Sequence, residues 1–195
     1  MGLDISKYKA GGRDFGRAED GLYPARLTQV IELGVQPMED YQTGEAKDPK
    51  PRAILTFELP TETIEINGED KPRWYGKEYT LSSHELAGIL KVMKALDASG
   101  ATDLTEMVGK ACTVQLGTTI SGKAKIINVS PIMKGIAVPP LSKAPLVFDL
   151  DDPSLDVFKG FPDWVKEKIT GALDFEGSVL CLLLEGSSEK SPGDF

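Results

Sequence analysis

AILTFELPTETIEINGEDKPRWYGKEYTL, running from Ala53 to Leu81, alternates on both sides of one tight turn. Ala53, Leu55, Phe57 and Leu59 are apolar while Arg52, Thr56 and Glu58 beside them are polar, which is the period-two pattern of a half-buried strand. Pro60 has no amide hydrogen for a ladder and is expected to end that strand. After Ile64 to Ile66, Asn67-Gly68 is a strong turn signal because both residues tolerate positive φ, and Trp74 to Leu81 then runs extended. A hairpin is therefore expected to join these two strands.

Upstream of the hairpin, Ala25, Leu27, Ile31 and Leu33 alternate with Arg26, Thr28 and Glu32, giving a first strand from Tyr23. Downstream, Ser82 with Glu85 three residues on matches a capping box, so a helix is expected to start there. Leu86, Ile89, Leu90, Met93 and Leu96 fall on one face of it, and Ser99-Gly100 ends the run. Cys112, Val114 and Leu116 mark a fourth strand, Ser121-Gly122 a turn, and Lys125 to Val129 a fifth strand before Pro131. Three strands, a helix and two strands follow the order of a mainly β, five-stranded Greek-key barrel of the oligonucleotide-binding (OB) type, with one helix between strands 3 and 4. The apolar helix face is expected to plug that barrel.

The chain of 195 residues exceeds this barrel at both ends. The expected organisation is a flexible N-terminal arm over 1–20, an OB-fold domain over 21–150, a helical extension over 151–185 and a disordered tail over 186–195. Within the barrel, residues 34–51 carry Pro37, Gly44, Pro49 and Pro51 and read as a long loop between the first two strands, of the kind that touches ligand. Ile132 to Pro145 reads as an extended strap, and Asp163 to Ile169 as a short helix with Pro162 at its start. Cys112 and Cys181 have no Cys-x-x-Cys or Cys/His spacing, so both are expected to be reduced, with no zinc site and no cofactor. No leader-like start is present and Val179 to Leu184 is too short to span a bilayer, so the expectation is a cytoplasmic protein without membrane contact.

Net charge is -8, which taken alone speaks against a nucleic-acid partner. Its distribution does not: residues 1–52 carry 8 basic and 9 acidic side chains, 53–140 carry 9 and 10, and 141–195 carry 5 and 11. The arm and barrel are near neutral, and the acid is concentrated in the last stretch.

Arg73, Tyr75, Lys77 and Tyr79 occupy alternate positions of the third strand and project from one face. Interleaved cations and rings suit single-stranded nucleic acid, because rings stack on unpaired bases while cations meet phosphates. Tyr79, beside the helix, is expected in the core, and Trp74 points to the opposite face yet remains a candidate for stacking. Arg26, Arg52, Lys123 and Lys125, with Lys47 and Lys50 in the long loop, extend a basic track. The DNA-binding set is thus Arg26, Lys47, Lys50, Arg52, Arg73, Trp74, Tyr75, Lys77, Lys123 and Lys125. His84 is the only histidine and has no orienting carboxylate or nucleophile placed by the sequence. Nucleotide-binding, zinc-protease and serine-hydrolase motifs are absent, and the strand carboxylates Glu58, Glu65 and Glu78 lack the spacing of a metal-dependent nuclease. The expectation is a protein that is not an enzyme.

The runs Gly21-Leu22-Tyr23-Pro24-Ala25-Arg26-Leu27, Leu33-Gly34-Val35-Gln36, Phe57-Glu58-Leu59, Lys71-Pro72-Arg73, Tyr79-Thr80-Leu81-Ser82 and Val108-Gly109-Lys110 resemble the single-stranded DNA-binding proteins of tailed bacteriophages. The resemblance covers about residues 20–150 and rests on structural positions. It implies an OB fold, weak sequence preference, and a role in phage DNA replication, recombination or repair in the host cytoplasm. Such proteins commonly end in an acidic segment closed by an aromatic residue. The ending Pro192-Gly193-Asp194-Phe195 is similar, which implies recruitment of replication or recombination proteins through Asp194 and Phe195. It departs in its weak acidity and in Lys190. Homo-oligomers are compatible with this reading. The rival expectation is a structural or assembly protein that uses the same barrel for protein contacts.

Overall fold

The computed structural model describes residues 17–40 and 42–188. Five strands, β1 (Gly21–Glu39), β2 (Ala46–Ile66), β3 (Glu69–Thr80), β4 (Ala111–Thr118) and β5 (Ala124–Pro131), form one antiparallel path in the order β3-β2-β1-β4-β5. A short sixth strand, β6 (Leu146–Phe148), pairs parallel with Gln29 to Ile31 of β1. The helices are α1 (Gly88–Leu96), α2 (Leu155–Gly160), α3 (Asp163–Thr170) and α4 (Val179–Ser188). The mainly β class and the five strands agree with the sequence pattern, and β6 adds a strand too short to show a period. The two ends of the path, β3 and β5, are bridged by Lys77 Nζ donating to Ile126 O at 3.2 Å, and among the described residues no backbone ladder joins them.

The Asn67-Gly68 turn forms as expected, with φ of 56° and 81°. Three other features differ from the sequence reading. The long loop expected over 34–51 is mostly strand: β1 runs to Glu39, β2 starts at Ala46, and Met38 pairs with Lys47 across a two-stranded ribbon. Pro37 and Pro49 fall in the bulge between the Gln36–Lys50 and Met38–Lys47 pairs, while Pro51 pairs with Val35 within the ladder. Pro60 likewise does not end β2; the register shifts between Leu59 and Thr63, and the strand continues to Ile66. The capping box does not form either. Ser82 Oγ instead accepts from His84 N at 3.2 Å, His84 Nδ1 accepts from Leu86 N at 3.3 Å, and the helix starts at Gly88 without a side-chain cap. Leu86 is consequently exposed, while Ile89, Val92, Met93 and Leu96 are buried as the helical spacing requires.

Two apolar clusters share the sheet. The first lies between α1 and the inner face, with Leu27, Ala53, Leu55, Phe57, Leu59, Cys112, Val114 and Met107 fully enclosed. Burial pushes the Cys112 thiol and the Tyr79 hydroxyl each up to about 12. The second lies on the outer face, where Ile31, Leu33 and Ile54 meet Phe148, Phe158, Phe161, Val165, Ile169 and Leu180. Phe148 packs edge-on against Phe161, ring centroids 5.0 Å apart. Gly34 makes this docking possible: it has φ of 74°, and a Cβ there would stand 2.6 Å from Asp174 Oδ1, the atom that accepts from Val35 N. Helix α3 matches the expected Asp163 to Ile169 segment. Gly186 to Ser188, read as tail, instead complete α4, which begins at the apolar Val179 to Leu184 run. Among the described residues no helix is long and apolar enough to cross a membrane.

Candidate nucleic-acid interface

Because β2 and β3 continue past the Leu59 bulge, their hairpin projects beyond the sheet, and the β4–β5 hairpin stands opposite it. Between them is a cleft of about 1150 Å³. Ile64, Ile66, Lys71, Arg73 and Tyr75 come from the first hairpin and Gly122, Lys123 and Ala124 from the second. The strap contributes Ser142 and Lys143, and the N-terminal segment contributes Arg17. Five cations therefore surround the cleft against one carboxylate, Asp70. Lys71 is also paired with Glu69 at 3.2 Å.

The N-terminal segment ties the two hairpins together. Arg17 Nη1 donates to Thr118 Oγ1 at 2.7 Å and to Gly122 O at 3.0 Å, and Ala18 N donates to the Tyr75 hydroxyl at 3.1 Å. Ala18 is buried, so residues 17–20, assigned to the arm by sequence, start inside the fold. Residues 1–16 of the arm and the tail residues Asp194 and Phe195 lie outside the described residues.

Trp74 is at the cleft's edge and 36% exposed. Its Nε1 donates to Glu58 Oε2 at 2.8 Å, and Lys143 Nζ lies over its ring at 5.9 Å from the centroid. Tyr75 faces inward as Phe57's cross-strand partner and packs partly against the first cluster. Arg73 Nε donates to Thr63 O at 3.2 Å, which braces the bulge.

Of the residues expected to bind DNA, the cleft brings together Arg73, Trp74, Tyr75 and Lys123. Others stand elsewhere. Arg26 donates to Pro139 O, Gly109 O and Val138 O, each at 2.7 Å, and so fastens the strap to β1. Arg52 pairs with Glu78 at 3.4 Å, and Lys47 pairs with Asp40 at 2.5 Å on the β1–β2 ribbon that also carries Lys50. Lys77 is held between Ile126 O and the Tyr79 ring, 5.3 Å away, and Lys125 is an exposed side chain of β5 outside the cleft lining. Sequence reasoning missed Lys71, Lys143 and Arg17 as members of this site. Lys71 was within reach, since it continues the alternation of Arg73 and Tyr75 by one step; Lys143 carries no periodic signal.

A smaller hollow of about 340 Å³ lies between β1 and the C-terminal helices, lined by Glu32, Asp151, Asp174, Ile169 and Phe175 among others. Glu32 accepts from Leu150 N at 3.1 Å. Burial pushes its carboxyl up; the Leu150 bond opposes this, and the carboxylates of Asp149, Asp151 and Asp174 add to the rise. The two depressions are thus opposite in charge. Among the described residues, no group of three or more His, Cys, Asp or Glu side chains is arranged to hold a metal ion. Comparison with protein-family models, with curated proteins and with solved structures finds no match.

Proposed function

We propose that the sheet is an OB-type Greek-key barrel and that the chain binds single-stranded DNA, with little sequence preference, along the cleft between its two hairpins. The carrying observation is the cleft itself: Arg17, Lys71, Arg73, Lys123 and Lys143 around the rings of Trp74 and Tyr75. Cations so placed meet phosphates and release counterions, while an indole held at the edge offers a base a face to stack on. Neither contact reads a base edge, so the preference for sequence is weak. The barrel assignment is supported by the strand path β3-β2-β1-β4-β5, by α1 between β3 and β4, and by the Lys77 bond across the two ends of the path. The resemblance of the barrel region to phage single-stranded DNA-binding proteins favours work in phage DNA replication, recombination or repair, without a catalytic step of its own.

The test is oligothymidine binding measured across a range of salt concentrations. Each phosphate neutralised on a single strand contributes about -0.7 to the slope of log K against log salt, so full use of the cleft gives a slope of about -3.5. A protein-contact module gives no binding to lose, and absence of binding at low salt would sink the proposal.

A further inference from the structure

Of the described Asp, Glu, Lys and Arg side chains, Glu58 alone is buried, at 1% exposure. It sits on the outward face of β2, cross-strand from Trp74, where alternation alone leaves a polar residue in water. The strap covers it. Glu58 Oε1 accepts from Ser142 N at 2.8 Å, and Oε2 accepts from Ser142 Oγ at 2.6 Å and from Trp74 Nε1 at 2.8 Å. A buried carboxylate is destabilising unless its oxygens are fully bonded, and three donors to a charged acceptor offset that cost. An amide cannot replace it. With its oxygen toward Ser142 N, the NH₂ group of a glutamine would face the indole N–H; turned over, it would face the Ser142 N–H.

Both residues that donate to this carboxylate, Ser142 and Trp74, belong to the cleft lining, and the residue after Ser142 is the cation over the Trp74 ring. We propose that Glu58 is a positioning residue for single-strand binding: it fixes the plane of the Trp74 indole and clips the strap beside it, so that a stacking face and the Lys143 charge are in place before the strand arrives. This deepens the proposed function and rests on it. The advantage is preorganisation, because a ring already held loses less freedom on binding.

The test uses a full-length Trp164→Phe background, since Trp164 is exposed on α3 and Trp74 is then the sole indole. Labelled oligothymidine reports affinity, and Trp74 fluorescence anisotropy reports the ring. Glu58→Gln is expected to weaken affinity about tenfold and Ser142→Ala about threefold, with an unchanged salt slope and lower Trp74 anisotropy. Trp74→Phe keeps a ring but removes its N–H, so it is expected to weaken binding too, and Glu58→Gln with Trp74→Phe to be no worse than the weaker single variant. A merely structural Glu58 would lower thermal stability while the folded variant kept the parent anisotropy and affinity, and that result overturns the proposal. Should Glu58→Gln fail to fold, exposed Ser142→Ala decides by the same two readouts. Trp74→Ala separates the levels: parent-like binding there removes the stacking cleft itself, whereas weakened binding beside a parent-like Glu58→Gln removes only the role of Glu58.

Discussion

Glu58 and Glu32 both stand on the sheet under the C-terminal half of the chain, and they have opposite surroundings. Glu58 is enclosed by Ser142 and Trp74 and receives three hydrogen bonds at the edge of a basic cleft. Glu32 receives one, from Leu150 N, and faces Asp149, Asp151 and Asp174, which with its burial hold its carboxyl above the ordinary range. The sheet supplies both carboxylates; what differs is the chain laid over them. The strap brings donors and Lys143 to β2 and β3, and the segment after β6 brings more acid to β1. One sheet thereby acquires a basic and an acidic depression, although the arm and barrel portions of the sequence are each near neutral.

Removing cations from the cleft breaks that contrast most strongly. Lys71→Ala with Lys123→Ala takes away two of the five charges there, and the salt slope for oligothymidine should flatten by about 1.4 while affinity at low salt falls more than about tenfold. Two cations removed outside the cleft, Lys47→Ala with Lys50→Ala on the β1–β2 ribbon, are expected to leave the slope at its parent value. Equal slopes for the two double variants would show that charge acts through the whole surface and that the cleft is not the site.

The contrast was only partly legible in the sequence. Alternation identified the core face of β2, β4 and the start of β1, because Leu27, Leu55, Phe57 and Val114 obey a local period that the pleat converts directly into burial, but past the register shift between Leu27 and Gln29 it fails: Ile31 and Leu33, read on one face with Leu27, belong to the second cluster. It also placed Arg73 and Tyr75 together, since neighbours two apart on one strand need no tertiary information. It missed the second cluster. Ile54 and Glu58 lie on the face that reads as polar, and only packing of the strap and C-terminal helices, segments of no shared period with β2, buries them. Arg26 shows the same limit: from sequence it is a surface cation, whereas three carbonyls converge on it once the strap folds back. The capping box failed for a shorter-range reason, because the Ser82 and His84 side chains bond to nearby amides in a turn and use up the cap before a helix can begin.

Glu32→Gln sharpens the comparison at the acidic hollow. A carboxyl whose folded pKa lies above its ordinary value near 4.5 contributes stability that is fully present below that value and is lost as pH rises through the folded pKa. Its charged form is therefore the poorly partnered one, and it is favoured as pH rises. A glutamine keeps an oxygen for Leu150 N without the charge, so the melting temperature is expected to rise by about 2 °C at pH 7, with the gain shrinking to nothing near pH 4. Thermal melts of parent and variant at those two pH values check it; a gain that persists unchanged at pH 4 would place its origin elsewhere.

The smallest effect is the one the hollow exerts on the cleft. Asp149→Asn with Asp151→Asn removes two charges from the group facing Glu32, and the first substitution retains a side-chain oxygen to accept from the residue 151 amide as Asp149 does at 2.8 Å. Locally the consequence is direct: Glu32 loses two of its three acidic neighbours, its carboxyl falls toward the ordinary range, and stability is gained at pH 7 for the same reason as in Glu32→Gln. At the cleft the consequence is only a field effect, because neither residue lines it. The Debye length is about 30 Å at 0.01 M salt and about 8 Å at 0.15 M, so the field reaches a bound phosphate in the first case and is screened in the second. Oligothymidine affinity should therefore rise about twofold at 0.01 M and stay level at 0.15 M. Only a rise of equal size at both salts would require the acidic segment to touch the cleft cations directly, competing with DNA for contact, and it would then have to be counted as part of the binding site.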